Sequence, residues 1–165
     1  MKPRSRQRHR GRSEGGTFTA VPHAVQDSAS WRQCSATGIK LLCDVARQYN
    51  GRNNGDLCAA LSVMTARGWS KSGDTIPNAL RELRHYGLLL LTRQGGLHGP
   101  SLYALTWQPI DECGGKLERP ATATPPGDWK QPREPFKRPP KKQNAIPPSG
   151  VQRTAIRCSK PKKPS

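Results

Sequence analysis

Gly87 stands between two incompatible periodicities, and it constrains the fold more tightly than any other position. Before it, "TIPNALRELRHY" places Ile76, Leu80 and Leu83 at i, i+4 and i+7, the spacing of one helical face. After it, "LLLLTR" is a short apolar run, which reads as a strand. Glycine takes positive φ without steric cost, so it ends helices. The helix start is set by Pro77. Proline is tolerated in the first turn, where its missing N–H has no partner to lose. With Asp74 as N-cap, Pro77 is the third helical residue, and the helix runs from near Thr75 to Tyr86.

The neighbouring segments complete an order of elements. "QGGLHGP" is a glycine-rich turn, and "SLYALTW" is a returning strand that alternates Leu102, Ala104 and Thr106 with Tyr103, Leu105 and Trp107. Upstream, Ser35 is a suitable N-cap for a helix with Ile39, Leu42, Cys43 and Ala46 on one face, widened by Leu41 and Val45. "NGRNNG" ends it. "DLCAALSVMTARGW" predicts a second, shorter helix with Leu57, Leu61 and Met64 inward, stopping at Gly68, while "GDL" at 55–57 is also suited to a short strand. Helix, helix, turn, helix, hairpin is the order of a winged helix-turn-helix, an α+β fold of three helices plus a β-hairpin wing. Trp31, Trp69, Tyr86 and Trp107 lie at element boundaries and are expected in the core.

Both ends have a different composition. Residues 1–17 form a basic arm with almost nothing apolar, expected to be disordered. Twelve of the 16 prolines lie at or beyond Pro109, so residues 119–165 are expected to be a solvated, disordered Pro/Lys-rich tail. Trp129 and Phe136 read there as incidentally exposed aromatics. The folded domain is then 18–118. The net charge is +17, of which residues 108–165 carry +8. Such an excess favours polyanionic partners. No apolar run approaches the ~20 residues of a membrane span, and no apolar stretch follows the basic N-terminus as in a secretory signal. A cytoplasmic, nucleoid-associated protein with reduced cysteines is expected. The five cysteines and four histidines lack zinc-ligand spacing, so no metal and no cofactor are expected.

The exposed face of the third helix carries Asn78, Arg81 and His85, flanked by Thr75 and Glu82. In a winged helix this face meets the major groove, where Asn pairs with adenine and Arg with guanine. Expected DNA-binding residues are therefore Ser72, Thr75, Asn78, Arg81 and His85. Arg93, Gln94 and His98 of the wing are expected at the minor groove or phosphate, and Arg52, Arg67 and Lys71 at the backbone. The same residues would equally make an ordinary solvated face, and the carboxylates of Asp74 and Glu82 would repel phosphate. Phosphate-loop, nucleophile-elbow and zinc-protease motifs are absent, so no catalytic residues and no enzyme activity are expected.

"VPHAVQDSASW", "ARQYNGRNNGDLCAAL", "ARGWSKSGDTIPNALRELRHYGL" and "LTRQGG…PSLYALTWQPIDECGGKL" resemble a family of small bacterial winged-helix proteins associated with plasmids, integrative elements and prophages. The similarity spans about residues 18–118; Pro77 departs from it, since an ordinary helix former is expected there. The resemblance implies a DNA-binding fold and a task in regulating or replicating mobile DNA. The expected function is a sequence-specific transcriptional regulator that binds double-stranded DNA. The alternatives are a replication initiator or accessory factor, and a protein-interaction module. No coiled-coil heptad is present, so a homodimer would rest on the N-terminal segment or a domain face. The Pro-rich tail offers a site for a protein partner.

Overall fold

A computed structural model describes residues 17–70, 73–97 and 99–140. It is an α+β architecture of five helices and one three-stranded antiparallel sheet, so the expected three helices become five. The elements are α1 (His23–Gln26), α2 (Ala29–Gln33), α3 (Ala36–Ala46), β1 (Leu57–Cys58), α4 (Leu61–Thr65), α5 (Thr75–His85), β2 (Leu89–Arg93) and β3 (Leu102–Leu105). Two 3₁₀ turns follow, Cys113–Gly115 and Asp128–Lys130. No helix among the described residues is long and apolar enough to cross a membrane.

Ser35 caps α3 as its sequence predicts: the Gly38 N–H donates to its Oγ at 3.1 Å. The same hydroxyl donates to Glu82 Oε2 at 2.6 Å, and the Ser35 N–H donates to Glu82 Oε1 at 2.8 Å. One carboxylate of α5 thereby fastens the start of α3, where the helix dipole also favours negative charge. Glu82 is 8% exposed. It does not flank the outer face, and it presents no repelling charge there. Gly38 makes this possible, because a Cβ at that position would meet Glu82 Oε2 at 3.0 Å and Cys34 Sγ at 2.6 Å. The Cys34 thiol is pushed up to about 12, by burial first and by the Glu82 charge second.

The buried stripe of α3 is Leu41, Leu42, Val45 and Ala46. Cys43, expected inward, is exposed, and Ile39 is half-buried. The stripe is turned by the position of α5, against which α3 packs. On α5, Ile76, Ala79 and Leu83 are buried and Leu80 is half-buried. Pro77 is accommodated at the third helical position, and the Asn78 N–H closes on the Asp74 carbonyl at 2.8 Å.

The second helix is shorter than its sequence suggests. Leu57 and Cys58 belong instead to β1, paired with Tyr103 and Leu102. The cause is tertiary. Gln48 completes the outer edge of Cys58: its Nε2 donates to the Cys58 carbonyl at 2.8 Å, and its Oε1 accepts the Cys58 N–H at 3.1 Å. Helix α4 keeps only Leu61–Thr65. Met64 is fully buried, whereas Leu61, expected inward, is 48% exposed.

The sheet order is β1-β3-β2. A bulge between Leu91 and Arg93 leaves Thr92 out of the ladder. Thr92 is buried and donates from Oγ1 to the Gly55 carbonyl at 2.6 Å. Asn54 is the other buried fastening. Its Nδ2 donates to the carbonyls of Leu105, Gln108 and Pro109 at 3.0, 3.1 and 2.8 Å, and its Oδ1 accepts the Leu105 N–H at 2.7 Å. Asn54 and Asp111 add two more bonds between these segments. The loop after α3 is thus tied to the end of β3.

The expected alternation of β3 is real in direction but not in exposure. Tyr103, Leu105 and Trp107 join the helical core, and Leu102, Ala104 and Thr106 are buried on the other side. That side is covered by the chain that follows. Backbone bonds run from Gly127 N–H to the Thr106 carbonyl (2.8 Å), from Thr122 to Ile110 (2.9 Å) and from Glu118 to Thr92 (3.0 Å). The ordered packing therefore passes residue 118, and the expectation of a solvated tail from residue 119 is corrected over 119–136. Trp129 and Phe136 are half-buried against the core. Ser30 Oγ donates to the Trp129 carbonyl at 2.9 Å, and the Phe136 N–H donates to the Tyr86 hydroxyl at 3.0 Å. Trp69, Tyr86 and Trp107 are buried as expected, and Trp31 is half-buried against the core. The basic arm, apart from Thr17, and residues 141–165 of the tail lie outside the described residues.

Candidate nucleic-acid interface

Helix α5 is held by its inner face, so its outer face is what it presents. Thr75, Arg81 and Arg84 are exposed, and Asn78 is half-buried. Arg81 Nη1 donates to Asn78 Oδ1 at 2.7 Å. The two residues lie one turn apart and act as a pair, with the remaining guanidinium N–H groups of Arg81 unengaged among the described residues. Asp74 at the N-cap position makes no side-chain cap bond and stays exposed.

The other end of α5 is covered. His85, expected on the open face, is half-buried beneath the C-terminal segment. Its Nε2 lies 2.7 Å from the Glu134 carbonyl, and because a carbonyl only accepts, that nitrogen carries the hydrogen. The ring meets Tyr86 edge-on at 5.1 Å between centroids and Phe136 at 5.5 Å. His85 is therefore a packing residue rather than an open contact. Just beyond it, Gly87 has φ +67°, and a Cβ there would meet the Asp128 backbone at 2.7 Å. The same glycine ends the helix and admits the crossing chain.

The hairpin tip is held from within. Arg93 is half-buried and donates from Nη2 to the Pro100 carbonyl at 3.3 Å. The Gln94 N–H donates to Glu118 Oε2 at 3.2 Å, and the Gly95 N–H to Ser101 Oγ at 2.9 Å. Gly96 and Gly99 bridge each other, leaving Leu97 95% exposed at the tip. Arg52 is exposed on the loop after α3, whose Asn54 is fastened to the Leu105 end of β3 and whose Gly55 carbonyl accepts from Thr92, beside Arg93. Among the described residues no hydrogen bond joins Arg52 to Arg93 or Gln94. Arg67 pairs with Asp44 at 4.0 Å. Asp44 also accepts from Trp69 Nε1 at 2.7 Å and Lys40 Nζ at 2.9 Å. Burial raises its pKa, but these bonds and the nearby cations outweigh burial and hold it below the usual carboxylate range. Lys71, Ser72 and His98 lie outside the described residues.

Sequence reasoning missed three basic residues. Between the C-terminal half of α5 and the edge strand β2 lies a groove of about 570 Å³. Arg84, Arg119 and Arg133 line it together with Arg81. Arg84 was legible as the next turn after Arg81. Arg119 and Arg133 stand in a proline-rich stretch with no periodicity to orient them. Comparison with protein-family models, curated proteins and solved structures gave no match.

Proposed function

We propose that this chain is a sequence-specific DNA-binding protein of winged helix-turn-helix type, acting as a transcriptional regulator of a bacterial mobile element. Helices α4 and α5 are the two helices of the helix-turn-helix, and residues 93–100 are the wing. The observation that carries this reading is the Asn78–Arg81 pair on the outer face of α5. Both side chains suit base edges in a major groove, and the chain around them has a net charge of +17. The burial of Glu82 supports it, since that carboxylate is withdrawn from the face that would approach phosphate. The large apolar side chains exposed among the described residues are Phe18, Leu61 and Leu97, none of them on α5. A protein-docking helix would be expected to expose some. The resemblance to small bacterial winged-helix proteins points the same way.

The test is selection of bound sequences from random duplex DNA, followed by competition titrations of the selected and scrambled duplexes. Arg81→Ala opens no core cavity, so circular dichroism should be unchanged. Specific affinity should fall by about 1–3 kcal/mol, with a much smaller loss on scrambled DNA. An unchanged ratio of specific to non-specific affinity would remove base reading from α5.

A further inference from the structure

The groove between α5 and β2 gathers four arginines from three stretches of chain: Arg81 and Arg84 from α5, Arg119 from the segment after β3, and Arg133 from beyond the last 3₁₀ turn. None of the four makes an ion pair among the described residues. This holds although Glu118 and Asp128 line the same groove. Glu118 is instead turned to the hairpin, where it accepts the Gln94 N–H. Arg119 is fixed in place by its Nε, which donates to the Leu91 carbonyl at 3.0 Å and leaves both Nη groups unengaged among the described residues. Arg84 in the last turn of α5 is accounted for by the helix dipole. That explanation does not reach Arg119 or Arg133, which the fold carries in from residues far along the chain. Like charges gathered around one groove cost Coulomb energy that a bound polyanion removes. Guanidinium groups suit phosphate in particular, offering forked N–H donors.

Resting on the DNA-binding reading above, we propose that this groove is a phosphate cradle for the backbone of the duplex, formed only when the C-terminal segment 118–133 is folded against α5. The segment beyond the hairpin is then part of the binding surface. Arg81 stands at the junction, with base reading on one side and backbone phosphate on the other.

The full-length chain and four variants are titrated with a 20-base-pair mixed-sequence duplex between 50 and 200 mM salt. The variants are Arg84→Ala, Arg133→Ala, Arg133→Lys and Arg47→Ala. Arg47 is exposed at the end of α3, outside the groove, and its loss changes the charge equally. Each groove variant should flatten the plot of log affinity against log salt by about one. Arg47→Ala should leave the slope as in the wild type, and Arg133→Lys should restore most of what Arg133→Ala loses. Near-identical circular dichroism shows that the folds compare. In parallel, the Nε–H signals of Arg84 and Arg133 are followed by NMR with the duplex and with inorganic pyrophosphate; the duplex should shift both. Groove variants that match Arg47→Ala overturn the proposal and leave the DNA-binding reading standing. Saturable shifts with pyrophosphate but none with bound duplex overturn it in favour of a small phosphate ligand. A wild-type chain that binds no duplex at any salt overturns both.

Discussion

On one side of the sheet, Leu89, Tyr103 and Leu105 pack into the helical core. On the other side, Leu90, whose register partner is Ala104, lines a depression with Ile110, Pro120, Thr122 and Pro125. The first cover is regular, with side chains at helical spacing filling a common interior. The second has almost no regular structure and is held by individual backbone bonds at Thr106, Ile110 and Thr92. Proline does not prevent this. It bars a chain from a helix or a central strand, but its carbonyl still accepts, as that of Pro109 does from Asn54. A proline-rich composition therefore identifies what a segment cannot build, and leaves open whether it lies against the surface of something else.

If the irregular cover contributes to the fold, removing it should be costly in proportion to what it buries. A chain ending at residue 118 loses Trp129 and Phe136 from the core margin and exposes the Leu90 side of the sheet. It should lose about 4 kcal/mol against a chain ending at residue 140, which keeps every contact described above. Thermal unfolding of the two truncations measures this, and equal midpoints would mean the cover contributes nothing. The next effect tests the buried amide that ties the loop after α3 to the end of β3. Asn54→Ala removes the partner of the buried Leu105 N–H and a donor from the Gln108 and Pro109 carbonyls, and should cost about 3 kcal/mol by urea unfolding. A loss below about 1 kcal/mol would show that other groups or water replace the amide. The smallest effect isolates the crossing at α5. Gly87→Ala places a Cβ at positive φ and against the Asp128 backbone. It should cost about 2 kcal/mol and speed proteolysis within 127–136 while the helical core keeps its dichroism. Unchanged proteolysis of the Gly87→Ala variant would mean that this segment is not held at Gly87.

The chain alone dictates the elements that carry strong local signals. Ser35 announces α3, because a hydroxyl at the N-cap meets its own helix three residues on. Asp74, Pro77 and Gly87 bound α5, because proline and glycine restrict the backbone wherever they stand. The hairpin follows from an apolar run, a glycine-rich turn and an alternating return. These are effects within a few residues, and they reappear in the structure within a residue or two. Long-range packing settled the rest. Glu82 turned inward because Ser35 offered its carboxylate two donors and Gly38 carries no Cβ to obstruct it. Leu57 and Cys58 left the helix pattern because β3 and Gln48 completed their backbone bonds. His85 was covered, and Arg119 and Arg133 were brought beside Arg81, by a chain segment roughly 30 to 50 residues further on. Spacing along a sequence encodes which residues share a face of one element. It does not encode what packs on that face, because a partner distant in the chain is chosen by the free energy of the whole fold.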